Sequence, residues 1–508
     1  MQENNKRIAK NTLFLYIRML LTMLVTLYTS RVVLSTLGIK DFGIYNVVGG
    51  VVALFGILNG TLASGTQRFL TFQLGRNDLA ELKKTFSVSL NIHIIFAVII
   101  LILGETVGLW FLRNKINIPI DREIAALWVY HFSVFAVALS VIQVPYNATI
   151  IAHERMNVYA YVSILDVSLK LLIVYLLTIS DYDKLITYSI LMFAVNIIIV
   201  SIYCIYCRRK YLECRFGLVP DKKLYKTILT FSGWNILGSA AGTGSTQGVN
   251  ILLNIFYGPA INAARGISVQ VSNAIMAFVN NFQTAVNPQI VKLYATGKIN
   301  ELHTILFQNA KFSFCLMWCL LLPMLLKLET VLELWLVEIP EYTALFCRLI
   351  LLQTLISCLQ RPFVMAIYAI GKTKIVNLTS ALISLSALPI SYFLLKQGMP
   401  VYIPFVIYII TSAICAFIEL FLLYKWISLS INILLKQVFI PIISIILCSL
   451  PISFLVNYYS AKNFISFLYV LALSITLVLT SVYYIALDKK MRITIKKKLI
   501  ELIKKSKI

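Results

Sequence analysis

The stretch Gly38-Ile-Lys-Asp-Phe-Gly-Ile-Tyr45, running on to Glu81-Leu82, aligns without a gap on Gly258-Pro-Ala-Ile-Asn262, running on to Glu301-Leu302. A second echo pairs Gln143-Val144-Pro145 with Gln360-Arg361-Pro362, so the similarity spans several segments and not one helix. The repeated material is nearly all apolar. Internal similarity of this kind predicts a membrane protein of two similar halves around a central space, an architecture found mainly in transporters.

Composition agrees with that reading. Hydrophobic residues make up 59% and charged residues 13% of 508, against about 25% charged in a soluble domain, and the mean hydropathy is +0.85. Apolar runs recur between residues 11 and 487, each long enough to cross roughly 30 Å of hydrocarbon as a helix, and about fourteen can be separated. The predicted fold is therefore an all-α integral membrane protein of about 14 transmembrane helices, with two six-helix lobes related by pseudo-two-fold symmetry and two extra C-terminal helices. The N-lobe covers residues 1–207, a linker with Gly217 and Pro220 covers 208–226, and the C-lobe covers 227–425. Residues 426–487 hold the last two spans, and 488–508 form a basic amphipathic tail.

The basic residues orient the chain. Lys6, Arg7, Lys10, Lys83, Lys84, Arg208-Arg209-Lys210, Lys222, Lys223, Lys226 and the C-terminal lysines fall on one side, whereas the loop around Glu329, Glu333, Glu338 and Glu341 on the other is acidic. By the positive-inside rule both termini are expected in the cytoplasm. A net charge of +24 then reflects topology and attraction to anionic phospholipids; no nucleic-acid partner is expected, because no water-exposed domain presents clustered basic and aromatic residues. The nine cysteines suggest no disulfide framework. Zinc at Cys204, Cys207 and Cys214 is weighed against reduced structural thiols, and no metal site is expected.

Charged residues within spans carry the chemical signal, since each costs on the order of 2.5–3.5 kcal/mol at a helix centre. Arg18 and Arg31 lie on the first span, Arg68 ends the second, Arg265 lies in the eighth and Arg348 in the tenth, while Asp166 is expected to pair with Lys170 four residues on. The surplus of arginine favours an anion, because the guanidinium fork suits phosphate oxygens; snorkelling to the interfaces is the competing account for Arg31, Arg68 and Arg348. Gln67 in the second span, and Asn262, Asn273, Asn280 and Asn287 in the eighth, form polar stripes that either line a wet cavity or bond between helices. Pro145 and Pro362 are expected to kink the fourth and tenth spans, and the Gly-rich seventh span is read as bent or as closely packed. His93 and His131 are weighed as proton carriers or packing residues.

Four stretches resemble the polysaccharide-export branch of the multidrug/oligosaccharidyl-lipid/polysaccharide (MOP, MATE-like) exporters, in particular Wzx-type O-antigen or capsule repeat-unit flippases. They are Tyr28-Thr-Ser-Arg31 leading to Leu37-Gly38, Asp41-Phe-Gly-Ile-Tyr45 to Gly49-Gly50, Gln143-Val-Pro-Tyr-Asn147 to Met156, and Gln360-Arg-Pro-Phe363 to Gly371-Lys372. The resemblance implies alternating access and transfer of an undecaprenyl-diphosphate-linked oligosaccharide across the bacterial inner membrane. The diphosphate would meet Arg18 and Arg265, with Arg31 and Arg68 as further candidates, and the sugars would meet the Asn and Gln stripe. Polysaccharide polymerase or assembly proteins are implied as partners. No cofactor is expected beyond possible coupling to H+ or Na+. MATE-type drug efflux is the first alternative, and a membrane glycan polymerase or ligase the second. No paired carboxylates, Ser-His-Asp set or Walker loop supports an enzyme.

Overall fold

The computed structural model describes residues 2–488 except 77, 154, 218 and 462, together with 492–493. Side chains are described for these apart from 2–18, 57–61, 64–65, 68, 75–76, 156, 231–239, 284–285, 288, 292, 295 and 373. The described residues are almost entirely helical and include no strand.

The chain opens with α1 (Gln2–Phe55), which is interrupted at Gly38, and α2 (Ile57–Arg76). Then come α3 (Leu79–Leu103), a π turn (Gly104–Gly108), α4 (Leu109–Lys115), α5 (Glu123–Ala152), α6 (Met156–Ile179) and α7 (Lys184–Lys210). After the linker come α8 (Lys222–Tyr257), α9 (Pro259–Ala295), α10 (Ile299–Leu326), α11 (Leu328–Trp335), α12 (Thr343–Ile370), α13 (Thr373–Lys396) and α14 (Ile403–Ile427). The chain ends with α15 (Ile431–Leu434), α16 (Ile440–Tyr459) and α17 (Phe464–Ser481), with π turns at Leu435–Phe439 and Val482–Ala486. Several helix starts are written locally. Asp78, Asp183, Asp221 and Asn463 each accept a backbone N–H from the first turn of the helix they precede, which satisfies donors a helix leaves unpaired.

Eleven helical stretches among the described residues are long and apolar enough to cross a membrane. The expected second, seventh and eighth spans fall on the second part of α1 with α2, on α8 and on α9. Of the two readings of the Gly-rich seventh span, bent or closely packed, the structure has α8 continuing through Gly242, Gly244 and Gly248 as one helix. Gly248 makes room for packing, since a Cβ there would press on Leu388 of α13, and Ser245 Oγ donates to Ser384 O at 2.7 Å. A break occurs in the second span, where Gly56 separates α1 from α2. Helices α5 and α12 run through Pro145 and Pro362 as single elements.

The chain forms two compact units. The first comprises Met1–Ile267, Trp335–Thr343 and Asn377–Ile407; the second comprises Ser268–Leu334, Ala344–Val376 and Tyr408–Ile508. In the first, α5 packs on α7, α3 and α2, and α1 packs on α6, α5 and α8. Its ends are tied by polar contacts. At the end holding the Gly38 turn, Arg122 Nε donates to Asp41 Oδ1 at 2.8 Å while its Nη1 reaches Asp183 Oδ2 at 2.5 Å, and Lys40 pairs with Asp121 at 2.8 Å. Burial opposes the charge on Asp183, but the Arg122 hydrogen bond and the backbone N–H of Ile186 outweigh it and hold the carboxyl below its ordinary range.

At the opposite end the linker is pinned back onto the first unit. Ser87 Oγ donates to Arg215 O at 3.2 Å, and Asn91 Nδ2 donates to Gly217 O at 3.1 Å and to Tyr225 Oη at 3.0 Å. His153, at the end of α5, meets Glu213 Oε1 through Nε2 at 2.6 Å and stacks on Tyr211 at 4.2 Å. Glu213 is buried, which opposes its charge, yet the His153 contact prevails and lowers its pKa. Cys207 and Cys214 are used here in packing, with their thiols directed to Tyr146 O at 3.5 Å and Thr149 Oγ1 at 3.8 Å. In the second unit, α10 packs on α16 and α17, and Trp318 Nε1 donates to Ser449 Oγ at 3.0 Å.

Candidate functional site

The two copies of the repeat turn at the same position. Gly38 has φ 78° and ψ 169°, and Gly258 has φ 80° and ψ −176°. This backbone region is essentially closed to residues with a Cβ, so both copies place glycine where one span turns into the next. Beyond the turn the two copies diverge, and the predicted site residues divide accordingly.

In the first unit the start of α9 is held by a knot of asparagines. Asn262 is fully buried; its Nδ2 donates to Asn250 O at 2.7 Å and Oδ1 at 2.8 Å, and its Oδ1 accepts from Asn254 Nδ2 at 3.1 Å. Asn254 Oδ1 in turn accepts the backbone N–H of Asn117 at 2.7 Å, and Asn250 Nδ2 donates to Asn46 O at 3.1 Å. The amide of Asn262 thus ties α8 to α9. Arg265, three residues on, is 8% exposed and donates through Nη2 to Thr246 O at 2.7 Å. A guanidinium bonded to a backbone carbonyl in this way stabilises the α8–α9 pairing. Arg31 is exposed on α1, and Gln67 is half-buried on α2. The side chains of Arg18 and Arg68 lie outside those described.

In the second unit the later part of α9 carries the rest of the stripe. Asn273 is exposed, Asn287 is half-buried, and Asn280 accepts a hydrogen bond from Nη1 of Arg361. Arg361 stands well inside α12 with its side chain exposed, and next to it Gln360 Nε2 donates to Glu419 Oε1 at 2.9 Å. Glu419 is a buried acid in α14, 3% exposed. Arg361, Asn280, Gln360 and Glu419 therefore form one polar stretch across α9, α12 and α14. Arg348 Nη2, by contrast, meets Glu329 Oε1 at 3.2 Å among exposed side chains.

The sequence reading passed over Arg361 and Glu419 as site residues. Both had a signal: Arg361 lies inside the Gln360-Arg361-Pro362 echo, and Glu419 is a lone acid in an apolar run. His131 Nδ1 meets Glu105 Oε2 at 2.8 Å beside the π turn, and His93 Nδ1 lies 2.7 Å from Ser89 O. Among the described residues no three His, Cys, Asp or Glu side chains converge as a metal site would require.

No family model and no curated protein matches the chain. Solved structures do match in fold. An inward-facing multidrug resistance MATE family transporter of the MOP superfamily superposes with a TM-score of 0.66 at 14% identity, over 83% of this chain and 99% of that one. A MOP superfamily transporter from Pyrococcus furiosus Vc1, described as having a binding pocket of reverse polarity, gives 0.60 at 16% identity, over 82% and 96%. The lipid II flippase MurJ in an inward closed conformation gives 0.69 at 14% identity, over 92% and 97%. Residues up to Ile427, the end of α14, are 427 of 508 and fall short of 92%, so the MurJ likeness runs on into the C-terminal residues. The chain has the fold of MATE family transporters of the MOP superfamily and of the lipid II flippase MurJ.

Proposed function

We propose that this protein is a flippase that carries an undecaprenyl-diphosphate-linked oligosaccharide, the repeat unit of a surface polysaccharide, across the bacterial inner membrane by alternating access. The observation that carries this reading is the reach of the MurJ likeness past α14, into residues whose helices α16 and α17 pack on α10. A lipid flippase is thereby a better template for the whole chain than a transporter matching 83% of it.

The polar chemistry supports an anionic substrate. Arg361 and Arg31 are exposed arginines within spans, and Arg361 is oriented by Asn280. We assign Arg361 to the diphosphate, since a guanidinium can give two parallel hydrogen bonds to its oxygens. Cationic drugs need an available carboxylate instead. Asp166 is paired with Lys170, Asp41 with Arg122, and one oxygen of Glu419 is taken by Gln360. Arg265 enters the proposal only in a conformation where its guanidinium leaves Thr246.

The test is translocation by the purified protein in proteoliposomes. A fluorescent undecaprenyl-diphosphate oligosaccharide is expected to change leaflet faster than in protein-free vesicles, and Arg361→Ala is expected to slow it with unchanged protein yield. Transport of a cationic dye with no movement of the glycolipid would overturn the reading in favour of efflux.

A further inference from the structure

Below the Gly38 turn, Tyr45, Gly49 and Ala53 recur at four-residue spacing along α1 and so share one face. They open on a cavity of about 300 Å³ inside the first unit, whose other walls are α5, α6 and α7. Besides the hydroxyls of Tyr45, Ser133 and Ser189, its polar groups are a carboxylate, an ammonium and an amide. Asp166 Oδ2 and Lys170 Nζ, 2.7 Å apart on α6, supply a carboxylate and an ammonium. Asn196 of α7 supplies an amide oxygen that is buried and has no hydrogen-bond partner. Phe132 and Phe193 add an aromatic wall, with their rings 5.2 Å apart and inclined at 36°. At Gly49 an added Cβ would meet nothing within 4 Å, so glycine here leaves space unfilled.

These features restrict the occupant. An orphaned buried amide oxygen costs about 1–3 kcal/mol, a cost that a hydrogen-bond donor in the cavity removes once the Asn196 amide turns toward it. A hydrocarbon tail would bury the Asp166–Lys170 pair and the Asn196 amide while giving none of them a further hydrogen bond. A phosphate would meet Asp166 beside its one cation, and an organic cation would meet Lys170. A neutral ring bearing hydroxyls satisfies every group: vicinal hydroxyls donate to Asp166 and Asn196, another accepts from Lys170, and the C–H face lies against the aromatic rings. The volume is at the small end for ligand pockets and suits one ring, not a chain. We infer that this cavity is a subsite for a single pyranose residue of the transported glycan, an inference that rests on the flippase reading and adds to it where a sugar is held.

Two experiments test it with the full chain. In nanodiscs, saturation-transfer NMR with glucose, galactose and N-acetylglucosamine should show binding of at least one. Gly49→Leu should abolish that binding by filling the cavity, with melting unchanged or higher, because leucine favours helix over glycine and has room. Asn196→Leu should weaken it about tenfold, the loss expected of one buried hydrogen bond, while stability is kept or gained. Binding by neither wild type nor variants, or equal binding by wild type and Gly49→Leu, overturns the subsite. In proteoliposomes, Gly49→Leu should slow a sugar-bearing undecaprenyl diphosphate and leave the sugar-free lipid unaffected; equal slowing of both also overturns it. If the wild type moves neither lipid, the flippase reading falls, and a subsite for the transported glycan falls with it, even if the nanodisc experiment has shown a sugar pocket.

Discussion

The two copies of the repeat, Gly38 to Arg76 and Gly258 to Ala295, share a turn and little else. Both start from a glycine in the same left-handed, extended conformation. The first copy is then broken at Gly56, and its Tyr45, Gly49 and Ala53 face an open cavity beside a charged pair. The second continues unbroken for 37 residues, and amides replace the small side chains: Gln270 stands at the place of Gly50, Asn273 at that of Ala53 and Asn280 at that of Gly60. The comparison separates two demands. Backbone geometry at the turn admits only glycine and is kept in both copies, whereas the faces below it have been put to different uses.

The largest expected effect tests the shared part. Gly38→Val and Gly258→Val each force a β-branched residue into a glycine-only region, at a cost of about 1–3 kcal/mol, and thermal unfolding should show similar losses for both. A large loss in only one copy would break the equivalence of the turns. Next, Asn262→Leu should destabilise by about 1–3 kcal/mol, since it leaves buried groups of Asn250 and Asn254 unsatisfied. Asn273→Leu, at an exposed position of the same helix, should stay within about 0.5 kcal/mol. Equal effects would mean that the stripe acts as one unit.

Arg361→Ala should cut glycolipid transport about tenfold or more, the counterpart of one charge-assisted hydrogen bond, with little change in melting because the side chain is exposed. Arg265→Ala should instead lower melting, since it removes a buried side chain and its hydrogen bond from α9 to Thr246 O on α8. The reverse pattern would move the anion site into the first unit.

The smallest effect concerns the linker. Glu213 has a folded pKa below its ordinary 4.5, so its stabilisation is present above that value and is lost as pH falls through the lowered one. Backbone exchange around Arg215 and Gly217 should rise on acidification below about pH 4.5. In Glu213→Gln this acid step should be absent.

Much of the fold was legible because its causes are local. A twenty-residue apolar run has to satisfy its own backbone in lipid, so helices follow from hydropathy alone. The Asp166–Lys170 pair also followed from spacing. The seventh span stayed ambiguous because glycine content signals either bending or close packing, and only the presence of Leu388 and Ser384 beside α8 selects packing. For the candidate site less was legible. Asn262 and Asn280 looked alike, and one is locked in a buried knot while the other receives Arg361.

By itself, then, the sequence determined an all-helical membrane protein built on a duplicated element with a glycine at each turn, because hydropathy, charge asymmetry and backbone strain are properties of the chain. Only the tertiary structure decided which polar side chains are ties and which are open to a ligand. Helical periodicity assigns a residue to a face, but the partner on that face comes from another helix far away in sequence, as Glu419 does for Gln360 and Asn196 for the cavity beside Gly49.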